Sequence, residues 1–372
     1  MAVAVAADAV ESQRIFVASQ WQLMWWRFRK HRVAVASGIV ILGFYAVVLG
    51  ADFLAYADPD VSEAQRSLMP PQRVHWFDGW RFAPYVHGFK GARDPLTFKR
   101  VYVPDPAVKV PVRFFAEGFE YRFLGLIPMN RHLIGVDGDA TKTIFLLGTD
   151  VQGRDLWSRL MYGTRISLTI GLLGVTASLV LGVVLGGISG FYGGVLDTVI
   201  QRVIEILRSI PTIPLWMGLA AALPREWTVL QVYFAITIII SLLGWTELAR
   251  VVRGRFLAMR EEDFVVSARL VGCTQLRTIF IHMVPSFMSH IIAATTLALP
   301  AMIISETALS FLGLGLRPPA ISWGVLLQQA QNVQTVAISP WLMLPAIPVI
   351  VAVMAFNFLG DGLRDAADPY GR

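Results

Sequence analysis

The chain has 372 residues, 55% of them hydrophobic and 16% charged, with a mean hydropathy of +0.58. That balance exceeds what a water-soluble globular protein carries, and several apolar runs approach bilayer length, so the sequence reads as an integral membrane protein. Much of the net charge of +6 flanks apolar runs, where it sets topology rather than holding nucleic acid, and the lone Cys273 excludes an intrachain disulfide.

Residues Met1 to Ala18 are Ala-rich and predict a loose tail. Trp21 to Arg32 then interleaves Trp25 and Trp26 with Arg27, Arg29, Lys30 and Arg32, an interfacial belt at the cytoplasmic face. A first span follows from Val33 to about Ala55. Ala55-Tyr56-Ala57 imitates a signal-peptidase site, but the apolar run is too long for a signal-peptide core and reads as an uncleaved anchor. From Asp58 to about Tyr162 the chain is polar and rich in proline. The β-prone runs Lys99 to Val103 and Val108 to Phe115 predict a compact β-rich insert, with Trp76, Trp80, Phe82, Phe114, Phe115 and Tyr121 among the aromatics that form its small core. A loop of this length escapes the charge rule and is expected outside the cell.

The second span, about Ile166 to Ile188, carries Gly174, Ser178, Gly182, Gly186 and Gly190 at every fourth position, a stripe that lets another helix approach closely. The third, about Val199 to Leu223, places Glu205 within pairing reach of Arg208 and carries Pro211 and Pro214, which predict a kink. The fourth runs from about Val229 to Ala249, with Glu247 expected to pair with Arg250 at the cytoplasmic end. Between the fourth and fifth spans lies the polar stretch Arg250 to Pro285. Glu261, Glu262 and Asp263 suit the first turn of a helix. Phe264, Ala268 and Val271, with Val265, give it one apolar face; Gly272 stops it, and Pro285 breaks the chain before the next span. Such a helix is either a partner's docking element or a helix lying on the bilayer. The fifth span, about Phe287 to Ile304, leads to Glu306, a candidate for facing a pore or for pairing inside the bundle, and the sixth runs from about Trp341 to Leu359. Short-loop cations concentrate before the first span and between the fourth and fifth, whereas the opposite loops offer Arg225 and Arg317. Both termini and the central loop are therefore expected in the cytoplasm.

Several stretches resemble one family. Leu147-Gly148-Thr149-Asp150-Val151-Gln152-Gly153-Arg154-Asp155 is similar to the Leu-Gly-Thr-Asp-x-x-Gly-Arg-Asp signature of dipeptide and oligopeptide permeases in binding-protein-dependent ABC importers. Val266-Ser267-Ala268, Gly272 and His282-Met283-Val284-Pro285 keep the spacing of that family's cytoplasmic coupling loop, with Val266 in place of its leading Glu. Ser305 to Gly315 and the closing Asp368-Pro369 are similar as well. The resemblance implies an all-α polytopic membrane protein with six transmembrane helices, the type I ABC-importer permease fold, and a β-rich extracytoplasmic insert between helices 1 and 2. The expected division is a tail at 1–32, a first helix at 33–57, the insert at 58–162, a core at 163–360 containing the coupling loop 250–285, and a cytoplasmic end at 361–372.

The resemblance also implies a location in the bacterial inner membrane and three kinds of partner: two ABC ATPase subunits, a second homologous permease and an extracytoplasmic substrate-binding protein. Asp263, Phe264, Ala268, Arg269, Gly272 and Pro285 would be the ATPase-coupling residues. Cargo would be di- or oligopeptides, with oligosaccharides or nickel chelates as alternatives. No Gly-x-x-x-x-Gly-Lys followed by Ser or Thr occurs, so ATP-Mg belongs to the partner ATPases and the chain is expected to carry no cofactor, metal or catalytic residue. Two other classes stand beside this reading: a proton-coupled secondary transporter using Glu205, Glu247 or Glu306, and a membrane enzyme or adhesion protein built on the insert.

Overall fold

The computed structural model describes residues 19–93, 95, 100–136 and 144–367; the tail before Ser19, Lys99 of the first expected strand and Asp368-Pro369 lie outside the described residues. Helix α1, Gln20–Lys30, opens on a capping box between Ser19 and Gln22 and ends on Arg27, Arg29 and Lys30, with Trp21, Trp25 and Trp26 exposed. Among the described residues five longer helices are apolar enough to cross a membrane: α2 (Arg32–Leu54), α3 (Leu156–Tyr192), α6 (Val229–Met259), α8 (Met288–Phe311) and a last segment, Pro340–Ala367, whose main part is α11 (Ala346–Ala367). Between α3 and α6, α4 (Gly194–Ser209) and α5 (Thr212–Ala221) meet at 87°. A single kinked third span was the expectation. Instead Ile210 takes an extended conformation (φ −89°, ψ 131°), because the ring of Pro211 disfavours a helical residue before it, and the helix divides there. The shorter helices include α7 (Asp263–Leu270), α9 (Trp323–Gln328) and α10 (Val333–Ile338).

Helix α3 begins at Leu156 rather than near Ile166. The carboxylate of Asp155 accepts a 2.7 Å hydrogen bond from the Ser158 amide and caps it, so the helix starts in the polar signature and not where the apolar run begins. Its small-residue stripe lies against α6. A Cβ on Gly186 would come within 2.4 Å of the Ala249 carbonyl oxygen, and one on Gly190 within 2.6 Å of that of Arg253. The Ser241 hydroxyl, on α6, donates to the Gly174 carbonyl at 3.1 Å. Close backbone contact of this kind is what a small residue every fourth position permits.

The polar stretch between α2 and α3 holds two antiparallel sheets, β1-β2-β3 (Val74–Asp78, Arg81–Arg93, Arg100–Pro111) and the hairpin β4-β5 (Arg113–Phe123, Ile127–Gly135). Its apolar centre is aliphatic: Val86 and Val110, which face each other across β2 and β3, pack with Val112 and Ile144. The expected aromatic core does not form. Tyr121 is buried, but Trp76, Trp80, Phe82, Phe114 and Phe115 are exposed. Gly79 turns β1 into β2 with φ 63°, putting Trp80 at the tip, and Trp76 and Phe77 pack on Phe82 at that same end of the hairpin. The aromatics thus sit at strand ends and turns, beyond the face that packs on the chain.

Candidate functional site

Helix α6 ends at Met259, and the chain turns through Arg260–Glu262 into α7. Glu262 takes the N-cap position and Asp263 the first turn, where an anion meets the positive end of the helix dipole. Val265 is fully buried in a cluster with Phe191 at the end of α3, Val252 and Phe256 of α6, and Ile279, Met283 and Phe287 beyond α7. Ala268 is buried too, and the Arg269 guanidinium lies 4.6 Å from the centre of the Phe191 ring, a cation–π contact. The helix closes on a Schellman turn: the Gly272 amide donates to the Arg269 carbonyl and the Cys273 amide to that of Ala268, each at 3.0 Å. Gly272 has φ 84°, and a Cβ there would meet nothing within 4 Å, so backbone conformation rather than space calls for glycine. The chain then passes through a π-helix, Thr278–Met283, and the turn Val284–Ser286, in which Pro285 is exposed, before α8.

The outward surface of this segment is apolar. Leu270 is 82% exposed, Val271 85%, Leu276 64% and Phe264 43%. The spacing predicted one face shared by Phe264, Ala268, Val271 and Val265. The structure divides them: Val265 and Ala268 face the chain, whereas Phe264 and Val271 face away. Val271 is the C-cap, one residue past the helix, where helical periodicity no longer places its side chain. Leu270 was missed altogether. Its signal was an apolar residue standing out of period two positions before a glycine stop.

Glu306 is at the other end of α8 and has no exposed surface. Its carboxylate accepts hydrogen bonds from the Ser167 hydroxyl on α3 and the Ser310 hydroxyl on its own helix, both at 2.9 Å. Those serines in turn accept from the Trp323 and Leu316 amides, at 3.1 and 3.0 Å, and the Trp323 indole donates to Thr164 at 3.1 Å. Glu306 therefore holds α3, α8 and the start of α9 together inside the subunit, and it is not on a surface that a pore would wet.

The signature loop before α3 lies at this same end. Asp150, fully buried, accepts from the Arg154 guanidinium at 2.7 Å and from the Gln329 side chain at 3.2 Å, with Arg159 at 3.7 Å. The Trp341 indole reaches the Thr149 carbonyl at 3.0 Å, and the Tyr56 hydroxyl reaches Asp155 at 2.8 Å. Gly148 and Gly153 have φ 76° and 77°, and a Cβ on Gly153 would lie 2.0 Å from the Glu63 carbonyl oxygen. Asp155 caps α3, and burial pushes its carboxyl up to about 6. Two further pairings differ from those expected. Glu205 bonds Arg202 at 2.6 Å rather than Arg208, and Glu247 bonds Arg208 across α4 and α6 rather than Arg250.

The family model for the binding-protein-dependent transport system inner membrane component matches residues 182–370, from the second half of α3 through α11. The chain belongs to that family. Residues 19–71 match the N-terminal membrane domain of oligopeptide transport permease C. Among relatives of this permease, the oligopeptide transport system permease protein OppC of Bacillus subtilis is 37% identical over 223 residues, 60% of this chain and 70% of that one. The dipeptide transport system permease protein DppC of Alkalihalophilus pseudofirmus is 37% identical over 224 residues, 60% of this chain and 71% of that one. The glutathione transport system permease protein GsiD of Pectobacterium atrosepticum is 28% identical over 354 residues, 95% of this chain and 92% of that one. The protein is accordingly an integral inner-membrane transport permease and not an enzyme.

Proposed function

We propose that this chain is one of two permease subunits in an ATP-driven importer of di- and oligopeptides, with separate ATPases docking on α7 and an extracytoplasmic binding protein delivering the cargo. In this reading α4 and α5 together make a sixth span of the type I fold, both termini and α7 lie in the cytoplasm, and the five-stranded insert lies outside. ATP-Mg is bound by the partner ATPases; this chain holds no cofactor. The contact surface is Asp263, Phe264, Leu270 and Val271. Ala268, Arg269 and Gly272 set its position, and Pro285 lies in the turn that leads back to α8.

The observation that carries the reading is that α7 exposes apolar side chains outward while Val265 is keyed into a cluster shared by α3, α6 and α8. A partner that moves α7 moves the ends of three spans at once. The peptide cargo is supported by relatives named as oligopeptide and dipeptide transport permeases. A proton-coupled mechanism gains nothing from Glu306, whose carboxylate is buried and held by two serines.

Gly272→Asp tests the coupling. An L-residue at φ 84° strains the Schellman turn by about 1 kcal/mol, too little to unfold the chain but enough to misplace Leu270 and Val271. Peptide uptake into proteoliposomes holding the assembled complex should fall sharply while ATP hydrolysis continues. Unchanged uptake with normal ATPase association would refute the assignment.

A further inference from the structure

At the end of the bundle opposite α7, two short connections meet: residues 222–228 between α5 and α6, and residues 312–322 between α8 and α9. They enclose a cavity of about 270 Å³ whose lining includes Arg225 and Trp227 from the first connection and Arg317, Pro318 and Pro319 from the second. Among the described residues no acidic side chain lines it, and neither arginine has a side-chain partner. Two guanidinium-bearing residues thus share one cavity without a counter-charge, on the side of the bundle where the short loops are otherwise poor in cations.

The socket is held in shape by its own chain. Leu316 is fully buried with Ile170, Ala320 and Val325, the Leu316 amide is bonded to Ser310, and the Ala320 amide donates to the Arg317 carbonyl at 2.9 Å. A binding group therefore meets a preformed site and loses little to ordering it. Guanidinium groups match carboxylates in shape and charge, and the indole and proline rings offer an apolar seat for a short stem. The volume falls just below the range of pockets that take a whole small ligand, which suits one protein side chain better than an oligopeptide.

We propose that this cavity receives an acidic side chain, Asp or Glu, projecting from the extracytoplasmic binding protein, and that the contact fixes the register in which that protein docks. The proposal rests on the importer reading above. It is tested on the assembled transporter in lipid nanodiscs, with the importer's extracytoplasmic binding protein carrying a fluorophore. Wild type should bind it, with an affinity that weakens as salt is raised. The double variant Arg225→Glu/Arg317→Glu should bind about tenfold or more weakly and lose the salt dependence, while Arg225→Lys/Arg317→Lys keeps most of the affinity. Assembly of each variant, read by size-exclusion chromatography, separates lost docking from lost folding, and restoration of binding to the reversed pair by an acid-to-lysine change in the binding protein would identify the partner residue. Equal binding by wild type and the reversed pair at every salt concentration overturns the proposal. So does a loss confined to peptide-loaded binding protein, which would give the socket to the cargo's carboxylate instead. A wild-type complex that binds no such protein overturns the importer reading, and the socket with it.

Discussion

At one end of the helix bundle the chain is fastened by directional bonds among buried polar groups; at the other, α7 is seated on an apolar cluster. The first end joins Asp150, Arg154 and Arg159 near the start of α3, and Glu306 with its serines a short way along. The second gathers Val265, Phe191, Phe256 and Met283 under α7. Hydrogen bonds and ion pairs fix one geometry and fail abruptly when a partner is lost, whereas apolar packing has no preferred direction and tolerates small rearrangement. A membrane protein worked by a partner at one end gains from this division: the far end keeps its shape while the near end shifts.

Breaking the polar end should have the largest effect. Asp150→Ala strands Arg154 and Arg159, whose side chains are 8% and 0% exposed, without their carboxylate. Removing one partner of a buried charge pair costs about 3–5 kcal/mol, so the purified variant should lose its folded, monodisperse state or melt far below wild type. A melting temperature equal to wild type would show that the polar lock is not structural.

A smaller effect sharpens the same point through pH. Burial raises the Asp155 carboxyl from 3.8 to about 6 in the folded chain. The folded state then binds this proton more readily than the unfolded state, so stability is greatest at low pH and is lost as pH rises through about 6. Between about pH 7 and about pH 5 the site should add about 1 kcal/mol, in the direction opposite to that of an ion-paired carboxylate. Asp155→Asn keeps a good N-cap and removes the titration. Its melting temperature should therefore show a weaker dependence on pH over that range, and an unaltered dependence would count against the assignment.

The smallest change in stability belongs to the apolar end. Leu270→Ser with Val271→Ser alters side chains that touch little of their own chain, so stability should stay within about 0.5 kcal/mol of wild type. Association with the ATPase, measured by co-purification, should nevertheless be lost. Retained association would place the docking surface elsewhere.

The comparison also explains what was legible in the sequence. The glycine stripe and the stop at Gly272 follow from local rules, since each concerns backbone approach or backbone conformation at a known spacing. The outcome for Pro211 went further than the rule, because a kink and a break begin from the same extended Ile210 and tertiary packing decides between them. Where side chains choose among partners, spacing misled: Glu205 had arginines three residues away on either side, and Glu247 found one on another helix. The insert failed for a related reason. Aromatic content alone did not say that the valines at 86, 110 and 112 would take the packed face. At α7 the period was readable but its phase was not, because eight residues give too few turns to tell the inward row from the outward one.

Helix α3 runs unbroken for 37 residues, about 55 Å at the usual rise, whereas a hydrocarbon layer is about 30 Å thick. Its first turn is bolted into the signature loop and its last turn carries Phe191, against which Arg269 rests. With no joint along its length, a tilt imposed at the α7 end has to reappear as a swing at the signature-loop end, like an oar pivoting on its rowlock. The insert and the arginine socket ride on that far blade.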